Sequence, residues 1–166
     1  MKLYPKVYLK DVKDITIEFL KDNNIKGLIL DVDNTLIDYD KNLLKGCQDW
    51  CNNLKKQGIK MFILSNTNKV EKVKKVAQSL EIEYEYFAHK PNKKGFKKVQ
   101  KLLNLEPENI GVVGDQIFTD VLGGNRCKMF TILTKPIDER DIWITRLKRP
   151  FENIVIRKYL KKVGGK

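Results

Sequence analysis

The stretch Gly27-Leu28-Ile29-Leu30-Asp31-Val32-Asp33-Asn34-Thr35-Leu36 changes character halfway along. An uncharged apolar run, read as a strand over Gly27 to Val32, delivers two carboxylates, an amide and a hydroxyl at its end. A continuous apolar run, as opposed to an alternating one, marks a strand covered on both faces. Four more short runs are read as strands: Ile59 to Leu64, with Lys60 among its apolar residues, Glu83 to Phe87, with two glutamates, Ile110 to Val113 and Met129 to Leu133. Between them lie segments of helical spacing at roughly Lys41 to Gln57, Lys69 to Leu80, Lys93 to Leu103 and, shorter, Phe118 to Leu122. Strands alternating with helices imply parallel strands joined by right-handed crossovers. The sequence therefore predicts an α/β fold, a doubly wound, Rossmann-like five-stranded parallel sheet flanked by helices.

The 166 residues suit a single domain, with residues 1–26 as an N-terminal extension, 27–135 as the core and 136–166 as a C-terminal helical segment. Asp14 to Asn23 carries Ile15, Phe19 and Leu20 at helical spacing, with Asp11 or Asp14 as candidate caps. After Pro136, the residues Phe151, Ile154, Val155, Tyr159 and Leu160 form an apolar stripe on a basic helix, read as docked on the domain. Hydrophobic residues make up 42% and charged residues 33%, without low-complexity tracts or repeats, which excludes a disordered chain. Met1 to Lys10 lacks a secretory apolar region, and no run approaches the roughly 18 apolar residues of a bilayer span, so the expected location is cytoplasmic. Cys47, Cys51 and Cys127 are odd in number, which fits a reducing compartment. Cys47 and Cys51 share a helix face without further zinc-type ligands, so buried thiols are the simpler reading.

Ligands of open α/β sheets collect beyond the carboxyl ends of the strands. Those ends carry Asp31, Asp33 and Thr35; Ser65, Asn66 and Thr67; His89, Lys90 and Pro91; and Gly114, Asp115 and Gln116, with Thr119 and Asp120 close behind. Asp31, Asp33 and Asp115 converging on one edge would repel unless a cation lay among them, and Mg²⁺ prefers such oxygen ligands together with a substrate phosphate. Phosphomonoester hydrolysis needs a nucleophile, charge neutralisation and a proton for the leaving alkoxide. A carboxylate, a second Asp, the Ser65 hydroxyl and the Lys90 ammonium supply these parts. Pro91 holds Lys90 toward an extended backbone, and the position of Asn66 after the second strand makes it a candidate substrate contact. Gly114 is read as permitting the turn, Gly123 and Gly124 as marking a close approach of chains, and His89 as a loop residue.

Asp31-x-Asp33-x-Thr35, Ser65, Lys90 and Gly114-Asp115 with Asp120, in this order, resemble the four motifs of the haloacid dehalogenase (HAD) superfamily. Asp31 to Leu36, Val113 to Arg126 and the opening Tyr8 to Gly27 are similar to the YqeG-like, type IIIA branch of HAD phosphatases. The resemblance implies Asp31 as nucleophile and Asp33 as general acid and base, with Ser65 and Lys90 binding phosphate. It implies Asp31, Asp33 through its carbonyl, and Asp115 as Mg²⁺ ligands, supported from behind by Thr35 and Asp120. Neither usual insertion site has room for a cap domain, so the enzyme is expected to be capless and open to a bulky substrate.

The same branch resembles phosphatidylglycerophosphate phosphatases, which implies a lipid phosphate as substrate. Ile142-Trp143-Ile144 and the basic helix Phe151 to Lys162 would then touch an anionic membrane peripherally. The net charge of +12 attracts anions of any kind. It leaves open a second reading, a HAD-like module that binds RNA, a ribosomal particle or a protein with little catalysis. Its lysines are scattered, without an arginine-rich stripe and interleaved aromatics, which disfavours nucleic acid. A binding module would also have no need of clustered aspartates. Transfer of phosphate to an acceptor other than water is a third possibility the motifs allow.

Overall fold

In the computed structural model six strands form one parallel sheet; residues 2–140 and 143–164 are described, with 143 and 144 described as backbone only. The strands are β1 (Val7–Leu9), β2 (Gly27–Leu30), β3 (Lys60–Leu64), β4 (Glu83–Glu85), β5 (Ile110–Gly114) and β6 (Phe130–Thr134). Their order is β1-β6-β5-β2-β3-β4. From β2 the chain steps outward to β3 and β4, then returns to the other side of β2 for β5 and β6. The strand order thus reverses between β2 and β5, and a crevice opens there at their carboxyl ends.

The helices that make the crossovers are α2 (Cys47–Lys56), α3 (Val70–Leu80), α4 (Lys93–Leu103) and α5 (Leu122–Arg126), with α1 (Ile17–Asp22) before β2 and α6 (Trp143–Gly164) after β6. Each long crossover helix buries residues three, four and seven apart: Cys47, Trp50, Cys51 and Leu54 on α2, and Val73, Val76, Ala77 and Leu80 on α3. Those two pack with Leu28, Leu30, Ile63 and Val113 on one face of the sheet. Phe96, Val99 and Leu103 of α4 pack with Ile29, Phe62, Leu64 and Val112 on the other. The alternation of Leu28, Ile29 and Leu30 between two cores is what a period of two requires of a strand covered on both sides.

Several details differ from the sequence expectation. A sixth strand, β1, pairs with the β6 edge, Val7 opposite Ile132; at three half-buried residues it is too short to carry a readable pattern. Helix α2 begins at Cys47 and not near Lys41, because Leu44 N–H donates to the Leu36 carbonyl at 2.8 Å and keeps residues 34–44 in a flap. Thr16, not Asp11 or Asp14, caps α1 by accepting from Phe19 N–H, while Asp11 caps the short turn Val12–Asp14. The segment expected as a helix at Phe118 to Leu122 is a π-helical turn, Ile117–Val121, leading into α5. Cys51 Sγ lies 3.4 Å from Met61 Sδ, and burial pushes the Cys47 thiol up to about 12, so both are core thiols.

Helix α6 docks as expected through Val155 and Tyr159 of the stripe, but not through the rest of it. Tyr159 and Glu152 are buried, and Val155 and Ile156 pack against Ile117, Val121 and Leu133. Phe151, Ile154 and Leu160 of the expected stripe are exposed, at 64%, 50% and 48%. Ile142, expected at a membrane surface with Trp143 and Ile144, lies outside the described residues, as do the side chains of those two.

Candidate active site

The β2–β5 ladder continues one residue past β2: Asp31 N–H donates to the Val113 carbonyl at 2.9 Å, which fixes Asp31 at the strand-order reversal. Asp115 follows β5 directly on the neighbouring strand. The next residues make the π-helical turn that swings Asp120 back, with Gln116 N–H and the Thr119 hydroxyl both donating to Asp120 Oδ2. Gly114 turns out to be more than a turn residue. A Cβ there would lie 2.2 Å from the Asp120 carboxyl carbon, so only glycine lets Asp120 enter. Carboxylate oxygens of Asp31, Asp115 and Asp120 all lie within 4.8 Å of one another.

Lys90 arrives from the loop after β4 and is almost fully buried. Its Nζ donates to Asp31 Oδ1 at 2.7 Å and to Asp120 Oδ1 at 2.6 Å. Its main chain is held on both sides by Asn66, whose Oδ1 accepts from Lys90 N–H at 2.6 Å and whose Nδ2 donates to the Lys90 carbonyl at 3.0 Å. Asn66 was expected at the substrate; both of its polar groups are instead engaged in placing Lys90. Ser65 is buried at the end of β3, with its hydroxyl accepting from Thr67 N–H. Thr35 donates to Asp115 Oδ1 at 3.4 Å.

Asp33 stands apart from the buried trio. Its side chain is about half exposed, and Lys72 of α3 donates to Asp33 Oδ1 at 2.5 Å. Lys72 is one of the scattered lysines that the sequence does not single out. Its side chain is only 15% exposed, and nothing in the local sequence distinguishes it from Lys74 or Lys75. Arg149 of α6 was also missed: its Nη1 donates to the Asp115 carbonyl at 2.9 Å and its Nη2 pairs with Asp115 Oδ2.

The flap and the segment after β6 form a rim beside these groups. Asn34 clamps that segment: its carbonyl and Oδ1 accept from Ile137 and Asp138 N–H, and its Nδ2 donates to the Arg140 carbonyl. Arg140 joins Asp40 and Asp138 and lies 5.0 Å from the Tyr39 ring centroid. His89 sits in its loop tilted against Phe87, with ring centroids 4.1 Å apart. A hollow of about 750 Å³ lined by Lys6, Lys128 and Tyr159 lies at the opposite, amino-terminal ends of β1 and β6 and contains none of the aspartates.

The electrostatics follow from burial. Burial raises Asp31 to about 7; Lys90 opposes this, and the Asp120 and Asp33 charges add to it. Asp115 is likewise raised well above the ordinary range by burial, against the pull of Arg149. Burial would lower Lys90, yet Asp120 and Asp31 together raise it. Acids and base shifted upward together describe a pocket with more negative charge than its two cationic side chains offset. Hard carboxylate oxygens in that state are a donor set for a divalent cation such as Mg²⁺.

Residues 1–138 match the profile of the family described as mitochondrial PGP phosphatase. The chain belongs to this family. It is 40% identical over 153 residues to the probable phosphatase YqeG of Bacillus subtilis (strain 168), covering 92% of this chain and 88% of that protein. It is 29% identical over 170 residues to phosphatidylglycerophosphate phosphatase 1, chloroplastic/mitochondrial, of Arabidopsis thaliana. That match takes in 95% of this chain and 48% of the relative, so the chain spans about half of the plant protein. The solved structure of a predicted HAD-like family hydrolase from Porphyromonas gingivalis has a TM-score of 0.56 at 13% identity, over 76% of this chain and 98% of that one, a likeness of fold. This PGP phosphatase family member has the fold of HAD-like hydrolases.

Proposed function

We propose that the chain is a Mg²⁺-dependent phosphomonoester hydrolase working through an aspartyl phosphate on Asp31, with phosphatidylglycerophosphate as its substrate. The observation that carries this reading is Lys90 Nζ bridging Asp31 and Asp120 with Asp115 alongside, three buried carboxylates set around one ammonium. Asp31, Asp115 and the Asp33 carbonyl would hold the cation, which when bound offsets charge on the phosphoryl oxygens.

Asp31 attacks phosphorus in line as the bond to the leaving oxygen breaks, and Asp33 gives that oxygen its proton. Asp33 then takes a proton from water, the water oxygen attacks phosphorus, and the bond to Asp31 breaks to release phosphate and restore the carboxylate. The Ser65 hydroxyl and Lys90 ammonium bind phosphoryl oxygens, Asn66 fixes Lys90, Thr35 and Asp120 support Asp115 and Lys90, and Lys72 orients Asp33. These roles take place within one catalytic unit spanning the chain.

A lipid phosphate fits a capless site bordered by a helix with an amphipathic outer face. Leu147, Phe151 and Ile154, separated by four and three residues, are exposed among Arg146, Lys148, Arg157, Lys158 and Lys161. Such a face suits peripheral contact with an anionic bilayer. No helix among the described residues is long and apolar enough to cross a membrane. The test is phosphate release from an aryl phosphate and from phosphatidylglycerophosphate, with and without Mg²⁺, for wild type and Asp31→Asn. Mg²⁺-dependent release that vanishes in the variant is expected; equal release by both proteins would remove Asp31 as nucleophile.

A further inference from the structure

Arg149 reaches the site from α6, an element that follows the last strand. Its Nη1 donates to the Asp115 carbonyl at 2.9 Å, and its Nη2 holds Asp115 Oδ2. One turn further along α6, the buried Glu152 accepts from Phe118 N–H at 3.2 Å through Oε1 and faces Arg149 Nη1 at 3.3 Å through Oε2. Glu152 fastens the helix to the π-helical turn, and Arg149 fastens it to Asp115. The other Asp115 oxygen, Oδ1, already accepts from Thr35. A guanidinium forked across the main chain and side chain of one aspartate is a strong, directional contact.

We propose that Arg149 competes with the divalent cation for Asp115, so that the terminal helix sets how tightly the site takes metal. This rests on the cation site proposed above. An ion that draws on Asp115 must displace the guanidinium from Oδ2 or bind with a fixed positive charge beside it, and in a buried pocket that repulsion is weakly screened. Coupling of this kind is reciprocal: metal loading loosens the grip of α6 on this edge, and anything that draws α6 away strengthens metal binding.

The experiment is calorimetric titration of Mn²⁺ into the full chain without substrate, comparing wild type, Arg149→Lys and Arg149→Met. Arg149→Met is expected to bind Mn²⁺ about tenfold more tightly than wild type, a change of roughly 1.4 kcal/mol, with Arg149→Lys in between. A residue with only a structural role would leave Mn²⁺ affinity unchanged or weaken it, and either result for Arg149→Met overturns the proposal. Hydrogen exchange of the wild type provides a second readout that needs no variant. Amides over 145–158 are expected to exchange faster with saturating Mn²⁺, and unchanged or slower exchange overturns the coupling. If wild type takes up no Mn²⁺, the cation site and this inference fall together. If it binds Mn²⁺ and Arg149→Met binds no more tightly, only the competition falls.

Discussion

Replacing the nucleophile should make the metal-free protein more stable. Asp31 is buried and raised from 3.8 to about 7, the reverse of the usual paired aspartate. Because the folded state binds this proton more tightly than the unfolded chain, Asp31 leaves stability intact below about pH 4 and removes it as pH climbs toward 7. At about 1.4 kcal/mol per factor of ten, the full penalty above pH 7 is roughly 4 kcal/mol. Asp31→Asn removes the charge and with it that penalty, in which the attraction of Lys90 is already included, and it keeps an amide oxygen where Lys90 Nζ donates. The variant is therefore expected to be more stable than wild type by up to roughly 4 kcal/mol at about pH 8 in chelator, and to differ little from it at about pH 4, where Asp31 is itself protonated and uncharged.

Urea denaturation at the two pH values, with equal slopes confirming a like-for-like comparison, measures this directly. Adding Mg²⁺ at the higher pH should raise the wild-type midpoint and leave the variant nearly unmoved, since a bound ion stabilises the folded state by mass action. A variant less stable than wild type at both pH values would refute the claim that the carboxylate is a strained, under-neutralised charge. A wild type that gains stability relative to the variant as pH rises would refute it as well.

Asn66→Ala removes both holds on the Lys90 main chain; KM is expected to rise several-fold and stability to fall by about 1–3 kcal/mol, measured by steady-state kinetics and denaturation. Gly114→Ala puts a methyl group 2.2 Å from the Asp120 carboxyl carbon, against neighbours fixed by Lys90 and Gln116. Overpacking of this kind costs about 1–3 kcal/mol, and phosphate release should fall at least about tenfold; full activity would show that Asp120 can be held elsewhere. Phe151→Asp changes the exposed face of α6, where the residue is 64% exposed. It should abolish co-sedimentation with anionic vesicles while aryl phosphate hydrolysis persists, and co-sedimentation at the wild-type level would remove this face from membrane contact.

The groups legible in the sequence are those that follow a strand within a few residues. Asp31 and Asp115 sit directly after β2 and β5, so an apolar run and the rule about carboxyl ends place them together. Lys90 could be assigned to the edge in the same way, because β3 and β4 lie beside β2. Lys72 and Arg149 were not legible, since tertiary position alone selects them from 33 lysines and arginines. Lys72 meets Asp33 because α3 crosses beside the flap. Arg149 meets Asp115 because Glu152, Val155 and Tyr159 seat α6 on the outer side of the π-helical turn. The stripe assigned to that helix was right at Val155 and Tyr159 and wrong at Phe151, Ile154 and Leu160 for a related reason. Phe151 and Ile154 share an apolar character with Val155 and Tyr159, and hydropathy does not say which part of a broad apolar arc the sheet takes. The buried charge of Glu152 decides it, and a lone acid in a basic helix is easily read as solvated.

Placed this way, α6 stands where a cap would otherwise control the site, since the described flap has only about a dozen residues between Asp33 and Cys47 and no domain follows β4. Its inner face carries Arg149 to Asp115, and its outer face carries Leu147, Phe151 and Ile154 among basic residues. Arg149 and Phe151 flank Pro150 on the same helix, so a pull on the outer face also draws on the inner contact. If a bilayer draws on the outer face, the inner contact is a restraint that a bound cation would also release, because Arg149 faces an aspartate for which the cation competes. Membrane contact, metal loading and access to a headgroup phosphate then become one equilibrium. That coupling predicts tighter Mn²⁺ binding in the presence of anionic vesicles for wild type and no such gain for Arg149→Met.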